Sequence, residues 1–504
     1  MAGAYERLKS LDHEIQLLEQ TSAVLGWDEE TQLPAGGIDE RAEQLALIRG
    51  IIHGRIVAPE FPELFAELGA TRENPSGDRD LPPLQRAHLR ALFRRHAREA
   101  LLPEQLVTEL ARVTSKGQAV WREARRSDDF SLFAPQLSKI IRLTKQKADC
   151  IGYTGHPYDA LIDEFEPWMV TANVREIFRP LAEQLSVLAK RIAAAPPVDD
   201  SFLQKQFPID KQEAFGRIVL SDMGYDSNRG RLDVSAHPFT TTLGFDDVRI
   251  TARYDEQFLK TGMSSIIHEA GHALYEMGFA EELRGSLLAA GTSLGIHESQ
   301  SRTWENIIGK GMPFWRHYFP ILQGMFPIQL GSVSMEQFYR GVNAVQPSLI
   351  RIEADEVTYG LHIVLRFQME MSLLSGDLTV DDAPAAWNDA MERLLGIRPD
   401  SDANGILQDI HWSSGLIGYF PTYALGNLYG AQFTATMRKE LPDVDSDIEK
   451  GRLSVVRDWL RARIHVHGSA LTAEEVCRKV TGKALDPGYF ISYLQEKYAP
   501  IYNL

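Results

Sequence analysis

Residues 263–278 read Met263-Ser264-Ser265-Ile266-Ile267-His268-Glu269-Ala270-Gly271-His272-Ala273-Leu274-Tyr275-Glu276-Met277-Gly278. Ile266, Ile267, Ala270, Ala273 and Leu274 predict a buried helix. On such a helix positions i and i+4 share one face, so His268 and His272 can converge on one metal ion. Glu269, one residue along, can reach a water beside that ion without being a ligand itself. With 14 histidines in 504 residues, the His-Glu-x-x-His pattern would arise by chance in roughly 3% of such chains. That is rare enough to favour a metal site over two histidines merely satisfied in a helix.

A catalytic zinc takes three protein ligands and keeps one position open. Downstream lies His297-Glu298-Ser299-Gln300-Ser301, with Glu298 26 residues after His272, enough for one turnaround and a packed antiparallel helix. Glu298 completes a His2Glu set and His297 competes with it. Adjacent helical residues point about 100° apart, so only one of the two can face the site. Glu298 is favoured because this spacing usually serves His2Glu. His465 and His467 form a second pair, too small by itself to be a site.

Upstream, residues 231–254 (RLDVSAHPFTTTLGFDDVRITARY) carry β-branched residues and alternation, with Gly244-Phe245-Asp246-Asp247 as a turn. A small antiparallel sheet is expected just before the His-Glu-x-x-His helix. Helical periodicity dominates the rest. It runs over 4–24, 40–57, 83–101, 103–125, 131–151 and 172–194, then over 257–278, 293–309, 335–345, 354–374, 380–395, 422–438, 447–464 and 486–497. The Pro- and Gly-rich breaks are short, and none reads as a linker. The expected fold is mainly α: one domain over 1–504, a large helical body with a minor sheet, its N-terminal helices (about 1–130) capping a groove.

Lys and Arg number 53 and Asp and Glu 69, a net charge of −16, with 44% hydrophobic and 24% charged residues. This is an ordinary globular balance, which excludes whole-chain disorder. An acidic surface repels phosphate backbones, so no nucleic-acid partner is expected. No run of about 18 apolar residues predicts a membrane span. The opening residues lack the apolar core of a signal peptide. Two cysteines, Cys150 and Cys477, exclude a disulfide framework and point to a reduced, cytoplasmic protein.

Six ordered elements carry a resemblance to the thermostable, Taq-type metallocarboxypeptidase family. They are His237-Pro238-Phe239, Asp247-Val248-Arg249-Ile250-Thr251, His268-Glu269-Ala270-Gly271-His272, His297-Glu298-Ser299-Gln300, Ile350-Arg351-Ile352-Glu353-Ala354-Asp355 and Gly405-Ile406-Leu407-Gln408-Asp409-Ile410-His411-Trp412. The segment Leu25–Pro34 also looks like the family's opening, with Leu33 where Met is usual, a volume-conserving change. The resemblance covers nearly the whole chain. It implies a helical fold with a deep groove, related to neurolysin-like and angiotensin-converting-enzyme-like peptidases. It also implies release of single residues from the C-termini of peptides, a divalent metal (Zn²⁺, or Co²⁺ in some members) and a homodimer.

On that basis Glu269 is the general base and proton carrier. Tyr423, ahead of Tyr419, donates to the oxyanion. Arg351 grips the free α-carboxylate of the substrate, unless Glu353 or Asp355 claims it in a salt bridge. His411 donates to the substrate backbone or oxyanion, unless it is structural. Arg249, with Asp247, orients the site or the substrate rather than touching the reacting atoms. Two alternatives stand beside this reading. One is a dipeptidyl carboxypeptidase or endopeptidase on the same scaffold. The other is an inactive binding homologue, against which the intact Glu269 argues.

Overall fold

The computed structural model describes residues 2–504. It is a predominantly helical molecule, with helices from Ala2–Thr31 to Gly488–Tyr502 and one small sheet between residues 232 and 252. Five helices matter below: α1 (Ala2–Thr31), α2 (Leu259–Glu276), α3 (Leu294–Arg302), α4 (Tyr359–Ser375) and α5 (Pro421–Glu440). The predicted helical segments are all present, with shifted ends. The stretch at 447–464 divides into Val444–Glu449 and Ser454–Arg463. The stretch at 293–309 is α3 followed by a π-helical turn, Thr303–Ile308.

The sheet is β1 (Leu232–Val234), β2 (Thr240–Gly244) and β3 (Asp247–Ala252), in the order β1-β3-β2. β2 and β3 form the expected antiparallel hairpin through Gly244-Phe245-Asp246-Asp247. β1, however, runs parallel to β3, so the sheet is mixed rather than purely antiparallel. Pro238 has no N–H to continue a ladder, and the chain crosses from one edge of β3 to the other between residues 235 and 239. The Thr251 side chain pins this crossing, accepting the Phe239 N–H at 3.0 Å and bonding Ser235 Oγ at 2.6 Å.

Two apolar clusters build the interior. The larger runs from Leu106 to Tyr502 and includes α2 to α5. The smaller gathers Leu8, Ile15, Ile56, Phe61, Phe65 and Leu89 from the N-terminal helices. Helix Pro83–Ala100 serves both, giving Leu89 and Leu92 to the smaller cluster and resting Leu84, Ala87 and Ala91 on the larger. Polar contacts complete the seam. Buried Asp12 accepts from the Leu287 N–H at 2.8 Å and pairs with His88 at 2.7 Å. Arg94 and Arg98 both reach Asp163.

Candidate active site

Three helices meet at the site, and glycine sets how closely they cross. A Cβ on Gly271 of α2 would lie 2.6 Å from Ser301 Cα, and one on Gly426 of α5 would lie 2.6 Å from Glu298 Cγ. Only hydrogen at both positions lets α3 lie between α2 and α5 with Glu298 pressed toward the histidines. Ser293 caps α3 by accepting the Ile296 N–H at 3.0 Å. The buried Glu166 carboxylate holds the same helix start, accepting from Ser293 Oγ and the Gly295 N–H, both at 2.9 Å.

The result is a compact donor set. Glu298 Oε2 lies 3.7 Å from His268 Nε2 and 3.5 Å from His272 Nε2. One ligand atom from each of the three residues fits within 4.8 Å of the others. His297 does not join them. Its Nδ1 lies 2.6 Å from His272 Nδ1, on the far side of that ring, and its Nε2 lies 2.8 Å from Glu276 Oε1.

The outer hydrogen bonds fix the tautomers. Glu305 can only accept, so His268 donates through Nδ1 at 2.9 Å and leaves Nε2 as a free lone pair. Glu276 likewise makes His297 a donor at Nε2. His297 Nδ1 then accepts, His272 donates to it, and His272 Nε2 is also free. Both inward nitrogens are thus in ligand form, and each ring is backed by a carboxylate, directly or through His297. Glu298 Oε1 accepts from Arg302 Nε at 2.6 Å, and Oε2, which also accepts the Ser301 hydroxyl at 3.3 Å, faces the cluster.

Charge follows the same layout. Burial pushes the Glu298 carboxyl up, but Arg302 and His268 outweigh it and hold it well below the usual range. Burial and His297 bring His272 down to about 3, so it is neutral near pH 7. Burial also pulls His268 down, yet Glu298 and Glu305 win and raise it. At this imidazole a proton and a metal ion compete for one lone pair. Glu269 stands beside the set, its Oε2 accepting the Thr240 hydroxyl at 2.7 Å. Burial raises its carboxyl above the ordinary value. Alternate strand residues share a face, and Thr242 reaches the same helix, at Glu276 Oε2, 3.1 Å away.

The 408–423 segment leads into α5 on the Glu298 side of the cluster, and both Tyr419 and Tyr423 lie within the field of Glu298. Tyr419 and Tyr423 pack with ring centroids 5.2 Å apart. His411 Nε2 is 3.3 Å from the Tyr423 hydroxyl, while its buried Nδ1 has no partner. Burial lowers His411 to about 4, so it is a neutral ring. Glu370 of α4 holds this segment, accepting from Trp412 Nε1 at 2.9 Å, the Gly418 N–H at 3.1 Å and the Tyr158 hydroxyl at 2.7 Å.

Arg351 is buried with its guanidinium 5.1 Å from the Tyr423 ring. Its partners are neither Glu353 nor Asp355. Nε donates to Asp409 Oδ1 at 2.9 Å and Nη1 to the Tyr359 hydroxyl at 3.0 Å. Asp355 instead accepts the backbone N–H groups of Val357 and Thr358 at the start of α4. Arg249 is set apart from the cluster, taken by Asp247 at 2.7 Å and stacked 4.5 Å from the Trp27 ring of α1.

Sequence reasoning missed Thr240, Glu276, Arg302, Glu305, Asp409 and the relay role of His297. One signal was legible: Glu298, Arg302 and Glu305 stand at i, i+4 and i+7, one helical face.

The family model described as carboxypeptidase Taq (M32) metallopeptidase matches residues 7–498. The chain belongs to this family. It is a peptide hydrolase of the metallocarboxypeptidase kind. It is 39% identical to thermostable carboxypeptidase 1 of Thermus thermophilus, over 99% of both chains. Carboxypeptidase 1 of Bacillus subtilis is 37% identical, over 99% of this chain and 98% of that one. Among solved structures, the M32 carboxypeptidase of Deinococcus radiodurans superposes over 100% of both chains, with a TM-score of 0.96 and 38% identity. Metallocarboxypeptidase 1 of Trypanosoma cruzi covers 99% of this chain and 100% of its own, with a TM-score of 0.93 and 35% identity. The endopeptidase, dipeptidyl and inactive readings gain no support from these relatives. No helix among the described residues is long and apolar enough to cross a membrane.

Proposed function

We propose that the protein releases single amino acids from the free C-termini of peptides, using one divalent ion held by His268, His272 and Glu298. The observation that carries this reading is the convergence of two free imidazole nitrogens and one carboxylate oxygen within 4.8 Å, with Glu269 alongside. Two nitrogens and one oxygen suit Zn²⁺, and Co²⁺ accepts the same donors. When bound, such an ion supplies a water of lowered pKa and a positive charge for the developing oxyanion.

The chain's own groups do the rest. Glu269 takes the proton of the attacking water on a carboxylate oxygen and returns it to the leaving nitrogen. Its raised pKa brings it closer to both tasks. Thr240 keeps the carboxylate aimed. Tyr423 donates its hydroxyl proton to the oxyanion, with Tyr419 packed behind it. His411, neutral, orients the Tyr423 hydroxyl. Arg351 reads the substrate carboxylate, and Asp409 and Tyr359 hold the guanidinium in place. Arg249 positions rather than binds, fastening α1 to the sheet through Trp27. The N-terminal helices form one wall of the groove.

The same reading places the protein in the cytoplasm as a homodimer. Two unbridged cysteines support the first, and light scattering measures the second.

The test is a time course of products from one unblocked peptide, with metal analysis of the same sample. Sequential release of single C-terminal residues is expected. Chelation should abolish it and Zn²⁺ or Co²⁺ should restore it. Release of dipeptides or internal fragments would overturn the reading. So would stoichiometric metal retained by the His268→Ala, His272→Ala double variant.

A further inference from the structure

A cavity of about 500 Å³ opens between helix Thr171–Ala193, α4 and helix Ala383–Leu395. Small-molecule sites fall in this size range. On α4, Val364, Phe367, Gln368 and Met371 recur at helical spacing and share the face that lines it. Arg366 and Glu370, which hold Asp409 and the 408–423 segment, lie round the opposite face. The cavity is thus separate from the reacting groups, on the other side of α4.

Its floor is apolar. Phe178, Val364, Phe367 and Leu394 are buried there, and the Phe178 and Phe367 rings meet edge to face at 5.4 Å. Its walls carry three guanidiniums. Arg175, Phe178, Arg179, Ala182 and Ser186 run along one face of helix Thr171–Ala193 toward the cavity, so a stripe that is ordinarily apolar throughout includes two arginines. Arg393, from helix Ala383–Leu395, is the third.

Among the described residues none of the three meets a carboxylate. Arg175 Nε donates to Met371 Sδ at 3.2 Å, a weak acceptor. Arg393 Nη2 donates to the neutral Gln368 Oε1 at 3.0 Å. Arg179 makes no hydrogen bond or ion pair, and Glu183, the one carboxylate on the lining, pairs with none of the three. Carboxylates are not scarce in a chain of net charge −16. Elsewhere on the surface Arg94 and Arg98 face Asp163, Arg95 faces Glu19 and Arg90 faces Glu475.

Like charges at i and i+4, as at Arg175 and Arg179, cost a helix stability. An anion between the guanidiniums would lift that repulsion and accept paired N–H bonds. An apolar body would cover the aromatic floor. Inorganic phosphate would leave the floor uncovered, and a purely apolar molecule would leave the cations unanswered. We propose that this cavity binds a small carboxylate with an apolar body, its charge among Arg175, Arg179 and Arg393 and its body on Phe178 and Phe367. The site stands apart from the carboxypeptidase reading and does not depend on it.

The experiment titrates 3-phenylpropanoate into the full-length, metal-loaded protein by calorimetry, with 3-phenylpropanamide as the uncharged match. Because Arg351 can also take a carboxylate, every measurement is made in Arg351→Ala. One equivalent per chain should bind there. Adding Arg175→Gln, Arg179→Gln and Arg393→Gln together should weaken binding about tenfold or more, the scale of one charged hydrogen bond. Glutamine is a good helix former, so the thermal midpoint should not fall. Ala182→Phe, which keeps the arginines but fills the cavity, should weaken binding as much. The amide should bind at least tenfold more weakly than the acid. No bound equivalent in Arg351→Ala overturns the proposal, as does affinity unchanged in the glutamine variant or in Ala182→Phe. An amide that binds as well as the acid overturns it too. So does a smaller particle by light scattering in the glutamine variant, which would make this face a contact with a second copy.

Discussion

Arg351 has five N–H bonds to place. Asp409 takes the one on Nε and pairs electrostatically with Nη2 at 2.9 Å, and Tyr359 takes one from Nη1. N–H bonds remain on both terminal nitrogens, and a carboxylate offers two oxygens at matching separation. Asp409 in turn keeps Arg366 as a partner at 2.7 Å, so removing Arg351 does not strand a buried charge. Arg351→Ala should lower kcat/KM roughly 30-fold or more, the scale of a charged hydrogen bond lost from a desolvated site. Arg351→Lys should recover only part, because an ammonium is a point charge. The deciding measurement pairs each variant with a C-terminally amidated peptide. Amidation should hurt the parent far more than Arg351→Ala. Equal penalties would make Arg351 a framework residue and leave the chain end to another group.

The ligand set depends on how three helices cross more than on any loop. Gly426→Ala would put a methyl against Glu298 Cγ with no room to receive it. Metal affinity should fall about 10- to 100-fold, as when a ligand's supporting contacts are removed, and chelator competition measures it. Gly50→Ala is the control. That glycine sits in helix Ile38–Ile56 with nothing within 4 Å of the new methyl, and the change should be neutral or mildly stabilising. Unchanged affinity in Gly426→Ala would remove the crossing from the argument. Sequence reading found α2 and α3 because their apolar spacing and chemistry coincide. It passed over Met312–Met325, where Phe314, Trp315, Tyr318, Phe319 and Leu322 recur at helical spacing, because Pro320 inside the pattern reads as a helix end. It missed the direction of β1 because pairing across a sheet leaves no local trace. His268 and His272 were legible from spacing. Asp409 and Glu276 were not, since a hydrogen-bond partner reaches its residue through the tertiary fold.

At the scale of the whole chain, two buried carboxylates, Glu166 and Glu370, are held by neutral hydrogen-bond donors. Burial raises Glu166 and Glu370 to about 7. Unfolded, each titrates near the ordinary 4.5. Between those values the folded protein binds more protons, so the stability they permit is full below about pH 4.5 and is lost as pH rises through 7. Each contributes up to about 3 kcal/mol to that decline. Glu166→Gln and Glu370→Gln should therefore shrink the difference in unfolding free energy between pH 5 and pH 8, measured by chemical denaturation. A difference unchanged in both variants would refute the assignment. The two apolar clusters bear on something else. They meet along a seam where Arg90, Arg94 and Arg98 cross to Glu475 and Asp163, and the three arginines line a cavity of about 480 Å³ there. Apolar burial responds mainly to temperature, whereas partly exposed ion pairs respond to dissolved salt. How firmly the N-terminal helices sit on the larger core is thus coupled to ionic strength, while the metal cluster, fixed between helices inside that core, is insulated from it.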